Sequence, residues 1–368
     1  MSSGSQEQTE LGALRDQIDA IDEQIGDLLN QRASCAQKVA EIKKRHAPEE
    51  EPKFYRPERE AQVLRRAMAR NKGPLGDEEF ARLFREIMSA CLALESPVKV
   101  AYLGPEGTFT QQAALKHFGN SARAVSLPAI DEVFREVASG AAHYGVVPVE
   151  NSTEGVVTHT LDNFLNSSVK ICGEVVLRIH HNFLVSEVTN TSAITRVYSH
   201  AQSLSQCRKW LDAHFPRAER VAVSSNSEAA KRVKGEWNAA AIAGAIAAEL
   251  YGLKSFAENI EDQPDNSTRF LIIGAEDVGP SGDDKTSLVV STRNEPGALH
   301  DLLEPFHRNK IDLTRVETRP SPTGTWNYVF FIDFTGHVSD ASVQTALKEV
   351  SATVSDLKIL GSYPKGVL

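Results

Sequence analysis

The chain has 368 residues, of which 41% are hydrophobic and 24% charged, and its net charge is −9. That length holds two or three domains with ample core, in an ordinary globular composition. The negative balance, with no basic stripe to offset it, argues against nucleic acid as the main partner. No apolar run reaches about 18 residues, so no membrane-spanning helix is expected. The segment Met1 to Glu7 has no apolar signal core. Cys35, Cys91, Cys172 and Cys207 show neither metal-ligand nor disulfide spacing, which fits a reducing cytoplasm. His180 and His181 are adjacent rather than four apart, so no metal site is expected there.

Residues 11 to about 96 read as helix. Leu11, Leu14, Ile18, Ile21, Ile25 and Leu28 recur at three- and four-residue spacing, the mark of one buried stripe. The pattern breaks between His46 and Pro52. A second helix is expected from Pro57 to about Asn71, stopped by Gly73-Pro74. A third follows Asp77, with Phe80, Leu83, Phe84, Ile87, Met88 and Leu92 as its stripe. Three helices of this length enclose little core alone, so this segment is expected to dimerise.

Charges interrupt these stripes. Arg32 falls where the first helix wants an apolar residue, among Cys35, Val39 and Ile42. Lys43 returns to nearly the same face about 16 Å further on. Both side chains can converge on one anion, or Arg32 can be a polar residue that sets the register of a coiled coil. Arg15 lies about 25 Å from Arg32 along the axis, within reach of that pocket only from an antiparallel partner helix. On the third helix Glu95 shares the face of Phe84 and Cys91. It is either a frayed helix end or a carboxyl whose pKa burial raises. Glu60, beside Arg59, reads first as a helix N-terminal charge.

Residues 98 to about 274 alternate strand-like and helix-like runs. Strands are expected at Val98–Leu103, Tyr144–Val149, Val197–Tyr198 and Val221–Val223, with a turn at Gly104–Thr108 and a helix from Thr110. The alternation implies a mostly parallel sheet with ligands at the carboxyl ends of its strands. Two near-identical loops stand out: Pro148-Val149-Glu150-Asn151-Ser152-Thr153-Glu154-Gly155 and Asp262-Gln263-Pro264-Asp265-Asn266-Ser267-Thr268-Arg269-Phe270. Such density of short hydrogen-bonding side chains suits a site for an anionic, hydroxylated small molecule; paired Asx and Ser/Thr turns use the same residues.

Gly279–Asp284 reads as a linker. Beyond it the expected order is strand (Thr286–Thr292), helix (Gly297–Asn309), strand (Leu313–Thr318), strand (Trp326–Phe334), helix (Ala341–Val350) and strand (Val354–Leu360). This is the α+β ferredoxin-like order.

Taken together, these motifs resemble the bifunctional chorismate mutase–prephenate dehydratase family over about residues 11–368. The middle segment carries the most specific signatures: Gly104-Pro105-Glu106-Gly107-Thr108-Phe109-Thr110, Val147 to Gly155, Ser199-His200-Ala201-Gln202 and Thr268-Arg269-Phe270. The resemblance implies three domains: an all-α mutase (1–96), a two-lobed, periplasmic-binding-protein-like α/β dehydratase (97–277) and an ACT regulatory domain (286–368). It makes Thr268 the catalytic threonine, with Asn151, Ser199 and Gln206 as further catalytic cleft residues and Glu150, Ser152, Thr153, Arg269 and Phe270 beside the substrate.

In the helical segment the resemblance assigns Arg15, Arg32, Lys43, Arg59, Glu60, Cys91 and Glu95 to the mutase pocket, with Arg15 crossing from a second copy. Arg56 stands where the family often has Asp. Asn294, Gly297, Ala298 and Leu299, with Glu317, Thr318, Arg319 and Pro320, match the two ACT motifs that bind phenylalanine between paired domains. The implied enzyme needs no cofactor or metal. It converts chorismate to prephenate and prephenate to phenylpyruvate in the cytoplasm, under feedback by phenylalanine, as a homodimer or higher homo-oligomer. Two other readings remain: a dehydratase whose helices only dimerise, and a non-catalytic amino-acid sensor.

Overall fold

The computed structural model describes residues 3–46, 55–292, 295–320 and 328–367. The first helix is longer than its apolar stripe, running Ser3–His46. The second, Pro57–Arg70, starts on a proline with Glu58 and Glu60 in its first turn, where the helix dipole favours them. The third, Asp77–Glu95, ends at Ser96, whose extended backbone is what a following proline demands. The second and third helices pack on each other, and the first packs on the third. The stripe from Leu11 to Leu28 is left uncovered, each of its six residues being at least 43% exposed.

The middle segment forms two sheets. In the first, the spatial order is Arg123–Leu127, Lys99–Leu103, Tyr144–Asn151, Ser267–Gly274 and Lys170–Arg178, with the short strand Gly155–Val156 against Tyr144–Asn151. In the second it is Lys254–Ala257, Asn182–Val185, Ala239–Ala243, Arg196–His200 and Glu219–Val223. The expectation of a mostly parallel sheet needs correction. The first three strands of the first sheet pair in parallel, but Ser267–Gly274 runs antiparallel to both its neighbours. The reason is topological. The chain leaves the first lobe after Arg178, builds the second, and re-enters the first at Ser267 from the opposite direction. Both informative loops lie at this crossing, and Thr268 sits inside the returning strand rather than before it.

The last segment is a four-stranded antiparallel sheet in the order Leu313–Pro320, Tyr328–Thr335, Asp284–Thr292 and Asp356–Pro364. Trp326, expected to open the second of these, lies outside the described residues. Helices Ala298–Arg308 and Ala341–Thr353 cover one face, burying Leu288, Val290, Ile332 and Phe334. Strand alternation sends Val289, Val329, Phe331 and Tyr363 to the other face. There they share a core with Ile171, Leu271 and Ile273 of the first lobe. The approach is close: a side chain at Gly361 would overlap the Ile171 carbonyl.

Candidate active sites

The three helices enclose a cavity of about 500 Å³, a usual size for a small-molecule site. Helical spacing delivers its walls. Arg32, Cys35, Ala36, Val39 and Lys43 come from the first helix, Arg56, Arg59, Glu60 and Val63 from the start of the second, and Met88, Cys91, Leu92 and Glu95 from the third. Four cations face two carboxylates, which suits a ligand with two negative charges. Arg56 adds to the cations while pairing with Glu58 at 3.0 Å. Arg15 is exposed on the first helix, outside the pocket.

Burial sets the protonation of this pocket. It raises the pKa of Glu95, and the pull of Lys43 and Arg32 only partly offsets it. Burial also lowers the pKa of Lys43, against Glu95, while Arg56 and Arg59 lower it further. Glu60 is more than a helix N-terminal charge. Its side chain is 14% exposed and its carboxylate lies 3.4 Å from Arg85 Nε, yet desolvation raises its pKa to about 7.

Sequence reasoning missed Arg85 and Tyr55. Arg85 donates to the Lys116 carbonyl at 2.9 Å, and the Tyr55 hydroxyl lies 3.0 Å from His117 Nε2. Burial holds His117 neutral, with a pKa near about 3. Both contacts fasten the helical pocket to the first lobe. The available signal for Arg85 was its four-residue spacing from the small residues Ala81 and Ser89, which are buried beside it on the third helix.

The second candidate site lies at the crossing between the lobes. Asn151 and Thr268 are register partners on adjacent strands. Asn151 Nδ2 donates to Thr268 Oγ1 at 2.8 Å and to Asn266 Oδ1 at 2.9 Å. The backbone N–H groups of Thr153 and Glu154 donate to Asn151 Oδ1, both at 3.0 Å, and fix the orientation of the amide. Ser152 ties the loops together: the Ser267 N–H donates to Ser152 Oγ at 2.9 Å, and the Ser152 N–H to the Ser267 carbonyl at 2.8 Å. Thr153 Oγ1 donates to Asn266 Oδ1 at 2.9 Å.

Gln206 reaches this cluster from the second lobe, where it ends the helix Ala201–Gln206. Its Oε1 accepts from Asn266 Nδ2 at 3.2 Å and lies 2.8 Å from His181 Nε2, while its Nε2 donates to Glu154 Oε1 at 3.4 Å. His181 was not nominated from sequence, nor was Asn266. Burial depresses the pKa of His181, so the neutral ring carries its proton on Nε2, facing the Gln206 oxygen.

Four nominated residues face elsewhere. Ser199 is fully buried, and its hydroxyl lies 2.7 Å from the Ile242 carbonyl and 2.9 Å from Asn226 Oδ1, so it braces the strand end below the cleft. Arg269 and Phe270 do not line the cleft. Adjacent residues of a strand point to opposite faces, so Arg269 turns its guanidinium toward the C-terminal segment, onto Glu174, Asp333 and Tyr363. Phe270 is 2% exposed and packs in the core against Tyr102, Val146 and Phe118. Glu150 likewise faces the C-terminal segment, with Arg315 Nε 3.2 Å from its carboxylate.

In the last segment Gly297 takes a left-handed conformation (φ +89°) at the start of the helix Ala298–Arg308. Leu299 is exposed there. Thr292 and Pro320 both end opposite Tyr328. Gly297, Ala298 and Leu299 therefore emerge at the same end of the sheet as Glu317, Thr318, Arg319 and Pro320. Asn294 lies outside the described residues. Arg319 forks onto Asp162 of the first lobe through contacts of 2.9 and 3.0 Å. Among the described residues no cluster of metal-ligating side chains is present, and no helix is long and apolar enough to cross a membrane.

A cationic helical pocket, a two-lobed cleft around a polarised hydroxyl and a ferredoxin-like tail define a multidomain enzyme for small carboxylates. The family model of chorismate mutase type II matches residues 14–96, that of prephenate dehydratase residues 100–278, and that of the ACT domain residues 286–352. A bifunctional chorismate mutase/prephenate dehydratase from Stutzerimonas stutzeri is 65% identical over 363 residues, covering 98% of this chain and all of that one. Another from Neisseria gonorrhoeae is 52% identical, covering 96% of this chain and 97% of its own. The solved structure of a prephenate dehydratase from Arthrobacter aurescens in complex with L-Phe is 33% identical, with a TM-score of 0.67, and covers 73% of this chain and 90% of its own. The chain belongs to the bifunctional chorismate mutase/prephenate dehydratase family.

Proposed function

We propose that the helical cavity is where this bifunctional enzyme rearranges chorismate to prephenate, and that the Asn151–Thr268 pair is where it converts prephenate to phenylpyruvate. The corresponding domains are residues 1–96, 97–277 and 286–368. The first step is pericyclic and needs no nucleophile. The catalyst must hold two carboxylates, compact the chain and stabilise charge building on the ether oxygen. Arg32, with Arg15 from a second copy, suits the carboxylates. Lys43 suits the ether oxygen, and Glu60 the ring hydroxyl. The uncovered stripe from Leu11 to Leu28 supports a homodimer built on the first helix. The free thiols Cys35, Cys91, Cys172 and Cys207 are consistent with a cytoplasmic setting.

The observation that carries the dehydratase reading is the hydrogen bond from Asn151 Nδ2 to Thr268 Oγ1. A hydroxyl that accepts such a bond is polarised, and its own proton stays available to a departing group. Loss of carbon dioxide and hydroxide aromatises the ring, so the enzyme supplies mainly that proton, in concert with departure. Gln206 and Asn151 orient the substrate's polar groups. Incubating the full chain with prephenate and following phenylpyruvate tests this reading.

Glu95 assists the ether oxygen only when protonated. Its pKa is raised by burial, so the donor persists to higher pH than for an ordinary carboxyl and is lost as pH climbs through that pKa. Mutase activity is therefore expected to fall on the alkaline side. Lys43, its pKa lowered, adds loss of the same sign. Glu95→Gln keeps a donor at every pH and should extend activity upward, and a pH profile unchanged from wild type would make Glu95 a bystander.

Phenylalanine is the effector at the Gly297 turn and the Glu317–Pro320 strand end. Gly297→Val forces a branched side chain into the left-handed region, which costs about 1–2 kcal/mol. Inhibition curves at fixed prephenate should shift to about tenfold higher phenylalanine. An unmoved curve would remove this turn from the effector site. Cutting away residues 286–368 is a poorer test, because it would uncover Leu271 and Ile273 and leave Arg269 without Asp333.

A further inference from the structure

Asn151 and Thr268 are register partners, and so are the residues beside them, Glu150 and Arg269. Strand alternation turns this second pair onto the back of the first. The C-terminal sheet meets that back with a register pair of its own, Arg315 and Asp333. The charges are crossed. Arg315 Nε lies 3.2 Å from Glu150 Oε2, and Arg269 Nη1 donates to Asp333 Oδ2 at 2.6 Å. The side chains of Arg315, Arg269 and Asp333 are 11%, 13% and 7% exposed. Glu150 is 39% exposed, but losing Glu150 would leave the Arg315 charge largely shut off from water, so this pair resists separation.

A second observation concerns the same strand. Arg315, Glu317 and Arg319 share one face of Leu313–Pro320, and Arg319 is anchored on Asp162. Arg315 Nη2 is buried and makes no hydrogen bond among the described residues. Glu317 Oε2 stands 3.9 Å from it. A buried guanidinium donor left unmatched is a costly arrangement. A movement of about 1 Å would bring Glu317 to hydrogen-bonding distance. Arg315 would then be shared between Glu317, in the segment matched to the effector motif, and Glu150, next to Asn151.

We propose that Arg315 and Asp333 form a positioning clasp for the dehydratase site: they set Asn151 and Thr268 through Glu150 and Arg269, and they carry the effector's state to that pair. The clasp rests on the reading of Asn151 and Thr268 as the dehydratase site. Neither Arg315 nor Asp333 reaches the cleft. Their action is through the backbone of two adjacent strands, where a small displacement of Thr268 from its line of donation is enough to slow the step.

The test uses the full chain and three readouts: prephenate kinetics, phenylalanine inhibition and chorismate turnover. Arg315→Gln should lower the dehydratase kcat about tenfold or more, with KM within about twofold. It should weaken inhibition by phenylalanine about fivefold or more, and leave chorismate turnover unchanged. Arg315→Lys, which restores the charge, should recover part of both dehydratase effects, and Asp333→Asn should repeat the Arg315→Gln signature. An Arg315→Gln enzyme with normal kcat and normal inhibition overturns the clasp. So does one that loses dehydratase, mutase and thermal stability together, since that is a structural contact alone. A Thr268→Ala enzyme with normal dehydration would instead overturn the site assignment, and is measured separately.

Discussion

Thr268→Ala lowers prephenate dehydration by about 100-fold or more, the usual scale for a positioned acid, while chorismate rearrangement continues near its normal rate. The hydroxyl removed is the one that Asn151 Nδ2 polarises at 2.8 Å. Its loss leaves Asn151 anchored by the Thr153 and Glu154 N–H groups and by Asn266, so the loops should persist and the fall should appear in kcat. Serine at position 268 keeps the hydroxyl and should recover part of the rate. The mutase pocket is built from other elements. Near-normal dehydration by a folded Thr268→Ala protein would take the proton-donor role from this residue.

Lys43→Ala lowers chorismate rearrangement by about 100-fold or more, as expected for removing a preorganised charge from a developing oxyanion. The same change leaves prephenate dehydration untouched. Arg32, Arg56 and Arg59 remain in the cavity wall, so binding of the substrate's carboxylates should survive better than turnover. The burial that lowers the pKa of Lys43 also strengthens its field on a nearby oxygen. A Lys43→Ala enzyme whose kcat stays near normal while its KM rises would assign this lysine to ground-state binding instead.

Much of the helical cavity is legible in the sequence, because a helix has one period and a charge on its apolar face must be answered. Arg32 and Glu95 each broke a stripe, Lys43 returned to nearly the face of Arg32, and all three line one cavity. Tyr55 was hidden because its role depends on His117, 62 residues away. In the middle segment the two Asn-Ser-Thr loops marked the crossing between lobes. The strand Ser267–Gly274 was harder to read. Its motif places Thr268, Arg269 and Phe270 in one run, and period-two alternation separates the first two onto opposite faces. A strand buried on both sides shows no polar alternation that would reveal this. The antiparallel return was hidden for a related reason: strand direction depends on which lobe the chain comes back from, and no local pattern records that.

The most direct test of the account follows chorismate with the full chain while measuring prephenate and phenylpyruvate separately. The expected result is loss of chorismate, transient prephenate and accumulating phenylpyruvate, with phenylalanine slowing the second conversion. If added prephenate is consumed but chorismate is untouched, the helical segment is a dimeriser and the two-site account fails. If neither is consumed while phenylalanine still binds, the chain is a sensor and both site assignments are contradicted.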